Sequence, residues 1–356
     1  MHDVAESLLN WYDHAKRDLP WRKERDPYRI LVSEIMLQQT RVETVIPYYE
    51  RFLQSFPTLA DLAAADEERV LEHWTGLGYY RRARNLHRAV REIQSRYEGR
   101  LPEEPDQLRQ LPGIGRYTAA AVASIAYDHP VAAVDGNVLR VVARLKSIRE
   151  PINKPSIMRQ VEEIVTDWIP ADRAGDFTQA LMELGSLVCL PKNPRCLDCP
   201  VQRHCAAFQT GKVAELPVRL KESPPMEEQV VVLAAVYQEA VWLERRPTGG
   251  LLGGMWQFPN IIVHDGADPL TILEERFHVS MLSDVPLQKL KPYRHRFSHR
   301  IWNLIPFRIE VSGAVYSQGM TWSDEGEWQP LQKVDQLAIP NAFMPLVRAC
   351  RMHSEV

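Results

Sequence analysis

From Val4 to about Phe208, apolar residues recur three and four positions apart in short runs, the period of a helix that buries one face. Phe56-Pro57-Thr58, Leu101-Pro102 and Leu111-Pro112-Gly113 interrupt the runs as turn signals. This portion reads as all-α. Near Leu216-Pro217 the rhythm changes, and Ser223-Pro224-Pro225 through Glu228 reads as an exposed linker, because proline holds the chain extended. Beyond it, residues 230–237, 241–245 and 304–311 are rich in β-branched and aromatic side chains and predict strands, with a short helix over 269–277. The expected fold is multidomain: an all-α portion followed by an α+β portion. Neither an internal repeat nor a low-complexity segment is present.

With 356 residues, the chain is long for one domain and suits two or three. Residues 1–16 carry Asp3, Glu6 and Asp13 with no apolar core, and no apolar run reaches the roughly 18 residues a membrane span needs. A cytoplasmic protein without membrane contact is the expectation. The net charge of −3 does not announce a polyanion-binding protein, but it conceals local basic runs. Arg81, Arg82, Arg84, Arg88 and Arg91 follow one another with no acid between, and Lys291, Arg294, Arg296 and Arg300 form a second run. Either is a phosphate-facing stripe or a solvated face.

Four of five cysteines, Cys189, Cys196, Cys199 and Cys205, are spaced C-x6-C-x2-C-x5-C. Disulfides suit a reducing compartment poorly, so these thiols read as metal ligands. Sulfur tetrads serve zinc and iron–sulfur clusters alike, and the spacing alone leaves both open. Cys350 stands apart and reads as a buried structural thiol.

Leu111-Pro112-Gly113-Ile114-Gly115-Arg116-Tyr117-Thr118-Ala119 is a glycine hairpin running into a helix over about 116–127. Gly113 and Gly115 allow close backbone approach to an anion, and the helix start offers unpaired amides to it. A plain helix–turn–helix joint has the same outline. Two acids then stand out. Asp135, in Val134-Asp135-Gly136-Asn137-Val138, reads as a helix N-cap or a reactive carboxylate at a loop-to-helix entrance. Glu34 is set in an otherwise apolar helix over 30–39, where desolvation raises a carboxyl pKa and suits it to proton donation, unless the side chain is partly exposed.

Together these segments resemble the MutY adenine glycosylases of the helix–hairpin–helix, endonuclease III superfamily. Resemblance is dense to about residue 210 and looser after it. It lies in the cysteine spacing, the hairpin, V-D-G-N-V-L-R-V from Val134, S-E-I-M-L-Q-Q-T from Ser33, G-L-G-Y-Y-R-R-A-R-N-L from Gly76, and L-P-W-R from Leu19. The later G-G-L-L-G-G-M-W-Q-F-P from Gly249 resembles the MutT-like (Nudix-type) domain of that family.

The resemblance implies a monofunctional adenine DNA glycosylase of base excision repair, acting as a monomer on double-stranded DNA with adenine opposite 8-oxoguanine or guanine. In a bacterium it would be cytoplasmic and nucleoid-associated. Glu34 would protonate the departing adenine at N7. Asp135 would stabilise the oxocarbenium ion or form a covalent sugar intermediate, with Asn137 positioning it. Tyr117 stands where bifunctional relatives carry a Schiff-base lysine, so β-lyase activity is not expected. Cys189, Cys196, Cys199 and Cys205 would hold a 4Fe–4S cluster, with Lys192, Arg195 and Arg203 between them offsetting the thiolates or facing phosphates. Arg22, Gln39, Thr40, Leu77, Tyr79, Gly113 and Gly115 would grip the mispair and its backbone, Tyr79 as a stacking wedge or else a core aromatic. Trp21 lies near the adenine pocket in the family, and core packing explains it equally well. Ser298 and His299 would read 8-oxoguanine.

The implied division places the glycosylase region at 1–216, with a six-helix barrel module over about 27–130 and an iron–sulfur module from 1–26 plus 131–216. A linker over 217–228 and the recognition domain over 229–356 complete it. Glu274-Glu275 does not supply the glutamate array of a working Nudix hydrolase, so phosphohydrolase activity is not expected. Two rival readings remain. An endonuclease III type glycosylase and AP lyase would carry lysine at position 117 and lack the C-terminal domain; a non-catalytic DNA-binding iron–sulfur protein would not need Glu34 and Asp135 together.

Overall fold

The structure, a computed structural model, describes residues 2–220, 224–247, 249–263, 266–281, 287–297, 299–318 and 325–352. Helices follow the apolar period, and several of their ends have a local cause. α1 (His2–Ala15) buries Leu8 and Tyr12. α2 (Pro27–Leu37) begins at Asp26, whose carboxylate accepts the Arg29 amide, with Pro27 in the first turn, where its missing N–H is no loss. It stops short of the predicted Gln39, whose φ of 57° is incompatible with a continuing helix. α3 (Val42–Ser55) leads to α4 (Leu59–Ala64), which carries a Thr58/Asp61 capping box. α5 (Glu67–Trp74), α6 (Arg81–Arg96), α7 (Pro105–Leu108), α8 (Arg116–Tyr127), α9 (Gly136–Leu145), α10 (Pro155–Thr166), α11 (Ala174–Leu187) and the single turn α12 (Ala206–Gln209) complete the helical series.

Two compact units divide the chain: Met1–His73 with Arg82–Glu222, and Trp74–Arg81 with Ser223–Val356. In the first, α8 packs against both α2 and α11, and α11 packs also against α1 and α9. The run Thr118-Ala119-Ala120-Ala121-Val122-Ala123-Ser124 explains why. Small buried side chains let two helices approach α8 closely. Apolar faces of α1, α9, α10 and α11 form one core, with Leu8, Val142, Val161 and Phe177 at its centre and Cys189, Cys199 and Cys205 packed on its border.

The second unit is built on a mixed sheet of β1 (Met226–Tyr237), β2 (Ala240–Arg245), β3 (Trp256–Gln257), β4 (Asn260–Val263), β5 (Gln288–Lys289), β6 (Tyr293–Arg296), β7 (Arg300–Glu310) and β8 (Gly326–Pro330). Its main path runs β3-β2-β1-β7-β5, with β1 and β7 parallel. Alternation along β1 sends Val230, Val232, Ala234 and Val236 into one core and Val231, Leu233 and Ala235 into another. Helices cover both faces. α13 (Pro269–Phe277) closes the second core with Leu273 and Phe277, and α15 (Met344–Met352), which follows the short α14 (Gly313–Gln318), closes the first with Leu346 and Val347. β1 starts at Met226, so three residues expected in the linker are paired with β7 instead. Glu227 and Glu228 are poor strand formers, yet ion pairs to Arg294 and Arg300 hold them in register.

Candidate active site

The packing of α2, α8 and α11 leaves a cavity of ≈ 520 Å³ in the helical unit. Arg22, Glu34, Gln39, Thr40, Tyr117, Asp135 and Asn137 all line it, although they lie up to 115 positions apart, from 22 to 137. Glu34 is only 6% exposed. Burial pushes its carboxyl up to about 7; a hydrogen bond from the Tyr117 hydroxyl to Oε2 (2.9 Å) and the charge of Arg22 lower it, and the charge of Asp135 raises it. Burial, the carboxyls of Glu34 and Asp135, and the bond to Glu34 hold the Tyr117 hydroxyl protonated.

Asp135 is both the helix cap and a polar wall of the cavity. One carboxylate oxygen accepts the amides of Asn137 (2.9 Å) and Val138 (2.7 Å), and the other accepts the Asn137 side-chain amide (2.8 Å). Burial raises its pKa; these three donors and Arg140 pull it back. Asn137 is itself fixed, because Arg140 donates to its Oδ1 (2.8 Å) while also holding the carbonyls of Gly185 (2.7 Å) and Cys189 (2.8 Å). Gly185 permits this fit. A Cβ there would lie 2.6 Å from the Cβ of Asn137.

Sequence reasoning named Arg22 but missed its partners on this wall, Arg17 and, on α11, Gln179 and Glu183. Glu183, with a side chain 1% exposed, accepts from the backbone amide, Nε and Nη2 of Arg17 and from Nη1 and Nη2 of Arg22. Burial pushes Glu183 up, yet the arginine hydrogen bonds outweigh it and hold the carboxyl at about 2. Arg22 Nε also donates to Gln179 (3.1 Å). The available signal was the one that marked Glu34: a lone acid in an apolar helical run, here Ala180-Leu181-Met182-Glu183-Leu184. Trp21 is buried edge-on against Tyr49 and lines the same cavity.

Cys189, Cys196, Cys199 and Cys205 line a second, apolar cavity beside Val141, Leu145 and Leu184. Burial pushes Cys199 up to about 12 and raises Cys196 and Cys205 as well. Arg144 reaches Cys189 Sγ at 3.3 Å. Among the described residues, no group of three or more His, Cys, Asp or Glu side chains is arranged around a single ion position.

The remaining residues lie elsewhere. Gly113 and Gly115 are exposed at the hairpin before α8; Gly113 has φ 76°, and a Cβ there would meet Asn85 at 2.5 Å. Leu77 is buried, whereas Tyr79 is 49% exposed with φ 52°, and both fall in the Trp74–Arg81 segment grouped with the second unit. The arginine stripe splits. Arg82 turns inward and caps α2 through the carbonyls of Ile35, Met36 and Gln38, Arg84 pairs with Glu67, and Arg81, Arg88 and Arg91 are exposed. His299 is exposed between β6 and β7, and Ser298 lies outside the described residues. Among the described residues no helix is long and apolar enough to cross a membrane.

Residues 32–167 match the HhH-GPD superfamily base excision DNA repair protein, and residues 230–349 match the NUDIX domain. An adenine DNA glycosylase of Rattus norvegicus is 34% identical over 98% of this chain and 78% of that protein. A thermostable thymine-DNA glycosylase superposes with a TM-score of 0.53 and 28% identity, covering 58% of this chain and 95% of its own. Endonuclease III in a non-covalent complex with DNA does so with a TM-score of 0.50 and 25% identity, over 58% of this chain and 94% of its own.

Proposed function

Since the chain belongs to the adenine DNA glycosylase family, we propose that its helical unit hydrolyses the N-glycosidic bond of adenine mispaired with 8-oxoguanine or guanine in DNA. The observation that carries this is the pair of unlike carboxyl groups on one cavity, Glu34 pushed to about 7 and Asp135 held by three donors. Bond cleavage develops negative charge on the base and positive charge on the sugar. A carboxyl that titrates near neutrality is a proton donor at working pH, and Glu34 fills that role toward adenine. Asp135, whose donors favour its ionised form, stabilises the oxocarbenium ion or attacks it, and Asn137 fixes its orientation. Tyr117 holds Glu34 and supplies no amine, which supports a monofunctional reaction.

Target adenine has to leave the base stack to enter the cavity. Gln39, Thr40 and Arg22, which line it, serve the opened mispair in this reading, as do Leu77 and Tyr79 of the glycine-bounded loop. Gly113 and Gly115 present backbone amides at the start of α8 to a phosphate. Residues 229–356 read the 8-oxoguanine partner through Ser298 and His299, after a glycosylase region over 1–216 that acts as a monomer.

The four-cysteine cavity fits a 4Fe–4S cluster. Its donors are all sulfur, its walls are apolar, and Arg144 offsets thiolate charge. Cys189, Cys196, Cys199 and Cys205 would hold it, and a bound cluster would tie the 189–205 loop together. Arg140 connects that loop's first carbonyl, at Cys189, to Asn137.

Single-turnover base release from duplexes with adenine opposite 8-oxoguanine, guanine or thymine, with and without alkali, tests the reading. Alkali-dependent cleavage confined to the mispairs is expected, falling by about 10³-fold in Asp135→Asn while mispair binding persists. Release of oxidised pyrimidines with spontaneous nicking would identify a lyase instead. A wild-type protein that binds but releases nothing would sink the proposal.

A further inference from the structure

Glu183 is the most heavily bonded carboxylate lining the cavity, and it does not enter the reaction proposed above. A buried acid saturated by two arginines costs desolvation that a well-packed apolar residue would avoid, so the arrangement calls for a use. Its geometry suggests one. Arg22 donates through Nη1 and Nη2 to Glu183, through Nε to Gln179 and through Nη1 to the Arg17 carbonyl (3.1 Å), and its guanidinium lies 5.6 Å from the Tyr12 ring centre. Every nitrogen of that guanidinium is directed, and the side chain is 13% exposed.

Building on the glycosylase reading, we propose that Glu183 is a positioning residue of the reaction: it anchors Arg22 as the cationic wall of the cavity that Glu34 also lines. Charged and titratable groups acting on Glu34 come from three elements: Tyr117 on α8, Asp135 at the start of α9, and Arg22 on the turn Pro20–Arg22. Arg17 and Glu183 line the cavity beside Arg22. Fixed cationic charge weakens the hold of Glu34 on its proton and so favours its transfer to the base, while the Glu183 carboxylate offsets part of that charge. The device balances proton retention against proton release.

The two sides of the balance predict shifts of opposite sign. Single-turnover adenine release is measured against pH, where loss of the Glu34 proton produces the alkaline limb. Glu183→Gln keeps a side-chain oxygen to hold Arg22 but leaves its charge uncompensated, and moves that limb down by about 0.5 unit, roughly threefold in protonated Glu34 above the midpoint. Arg22→Gln, which leaves the Arg17–Glu183 pair in place, moves it up. Should Glu183→Gln not fold, Glu183→Asp, which keeps the countercharge, should hold the limb at its wild-type position while Arg22→Gln raises it, and a limb lowered in Glu183→Asp would overturn the proposal. Limbs of Glu183→Gln and Arg22→Gln that stay at the wild-type position, or move the same way in both, would overturn the proposal even if both proteins lose thermal stability. Absence of adenine release by the wild type would instead strike the glycosylase reading, so the two failures are distinguishable.

Discussion

Two walls of one cavity each carry a glutamate on a helix, both carboxyls taken out of water, and they end five units apart: about 7 for Glu34 and about 2 for Glu183. Burial pushes both upward. Glu34 meets a single neutral donor, the Tyr117 hydroxyl, and burial wins. Glu183 meets five N–H groups from two arginines, and the arginines win. The lesson is that a buried acid becomes a reagent or an anchor according to the charge of its donors, since apolar surroundings are common to both.

The largest expected effect separates the two walls by stability. Glu34 has a folded pKa above its ordinary 4.5, so its contribution is fully present below about 4.5 and is lost as pH rises through about 7. At pH 8 the wild type carries an ionised, poorly paired carboxylate, and Glu34→Gln is expected to stabilise it there by up to about 3 kcal/mol, with little gain at pH 5. Glu183 has a depressed pKa. Its stabilisation is present above about 4.5 and disappears only as pH falls through about 2, so Glu183→Gln should destabilise by about 3 kcal/mol at pH 5 and pH 8 alike. Urea midpoints at the two pH values check both. Destabilisation by Glu34→Gln at pH 8 would erase the contrast.

Next in size comes Gly185→Ala, which disturbs the third carboxylate lining the cavity, Asp135, without touching a charge. The added Cβ meets Asn137 at 2.6 Å, and relief requires shifting the residue that orients Asp135. Overpacking of this kind costs about 1–3 kcal/mol, and adenine release should fall about tenfold while the alkaline limb set by Glu34 stays in place. A moved limb with an unchanged maximal rate would mean that Asn137 acts on Glu34 and not on Asp135.

These contrasts were unevenly legible beforehand. The glycine hairpin located α8 at about 116–127, and the helix runs over Arg116–Tyr127, ended by Asp128 with φ 54°. Glu34 stood out as a lone acid in an apolar helix. Glu183 gave the same signal but has no motif around it, and its partners Arg17 and Arg22 lie 166 and 161 positions away. Pairing over such separations is a property of packing, here of α11 against α1 and the turn that follows. The arginine stripe misled for a related reason. Arg82 has the composition of a surface residue, yet its position on α6 directs it at the unpaired carbonyls ending α2. The first residues of β1 were missed because Met226, Glu227 and Glu228 pair through β7 and ion pairs, which local propensity does not register.

Tyr117→Phe gives the smallest effect and the most direct check on why Glu34 differs from Glu183. The hydroxyl donates to Oε2 and so favours the ionised form of Glu34, against the stronger pull of burial. Removing it deletes one neutral hydrogen bond, about 1 kcal/mol, or somewhat under one pKa unit. The Glu34 limb of the pH profile should therefore move further up, bringing the contrast with Glu183 to its widest. Rates below the midpoint should change only a few-fold, since the proton donor itself is retained. A limb displaced downward would show that Tyr117 holds the protonated carboxyl in place, and the donor's charge would then not be what separates the two glutamates.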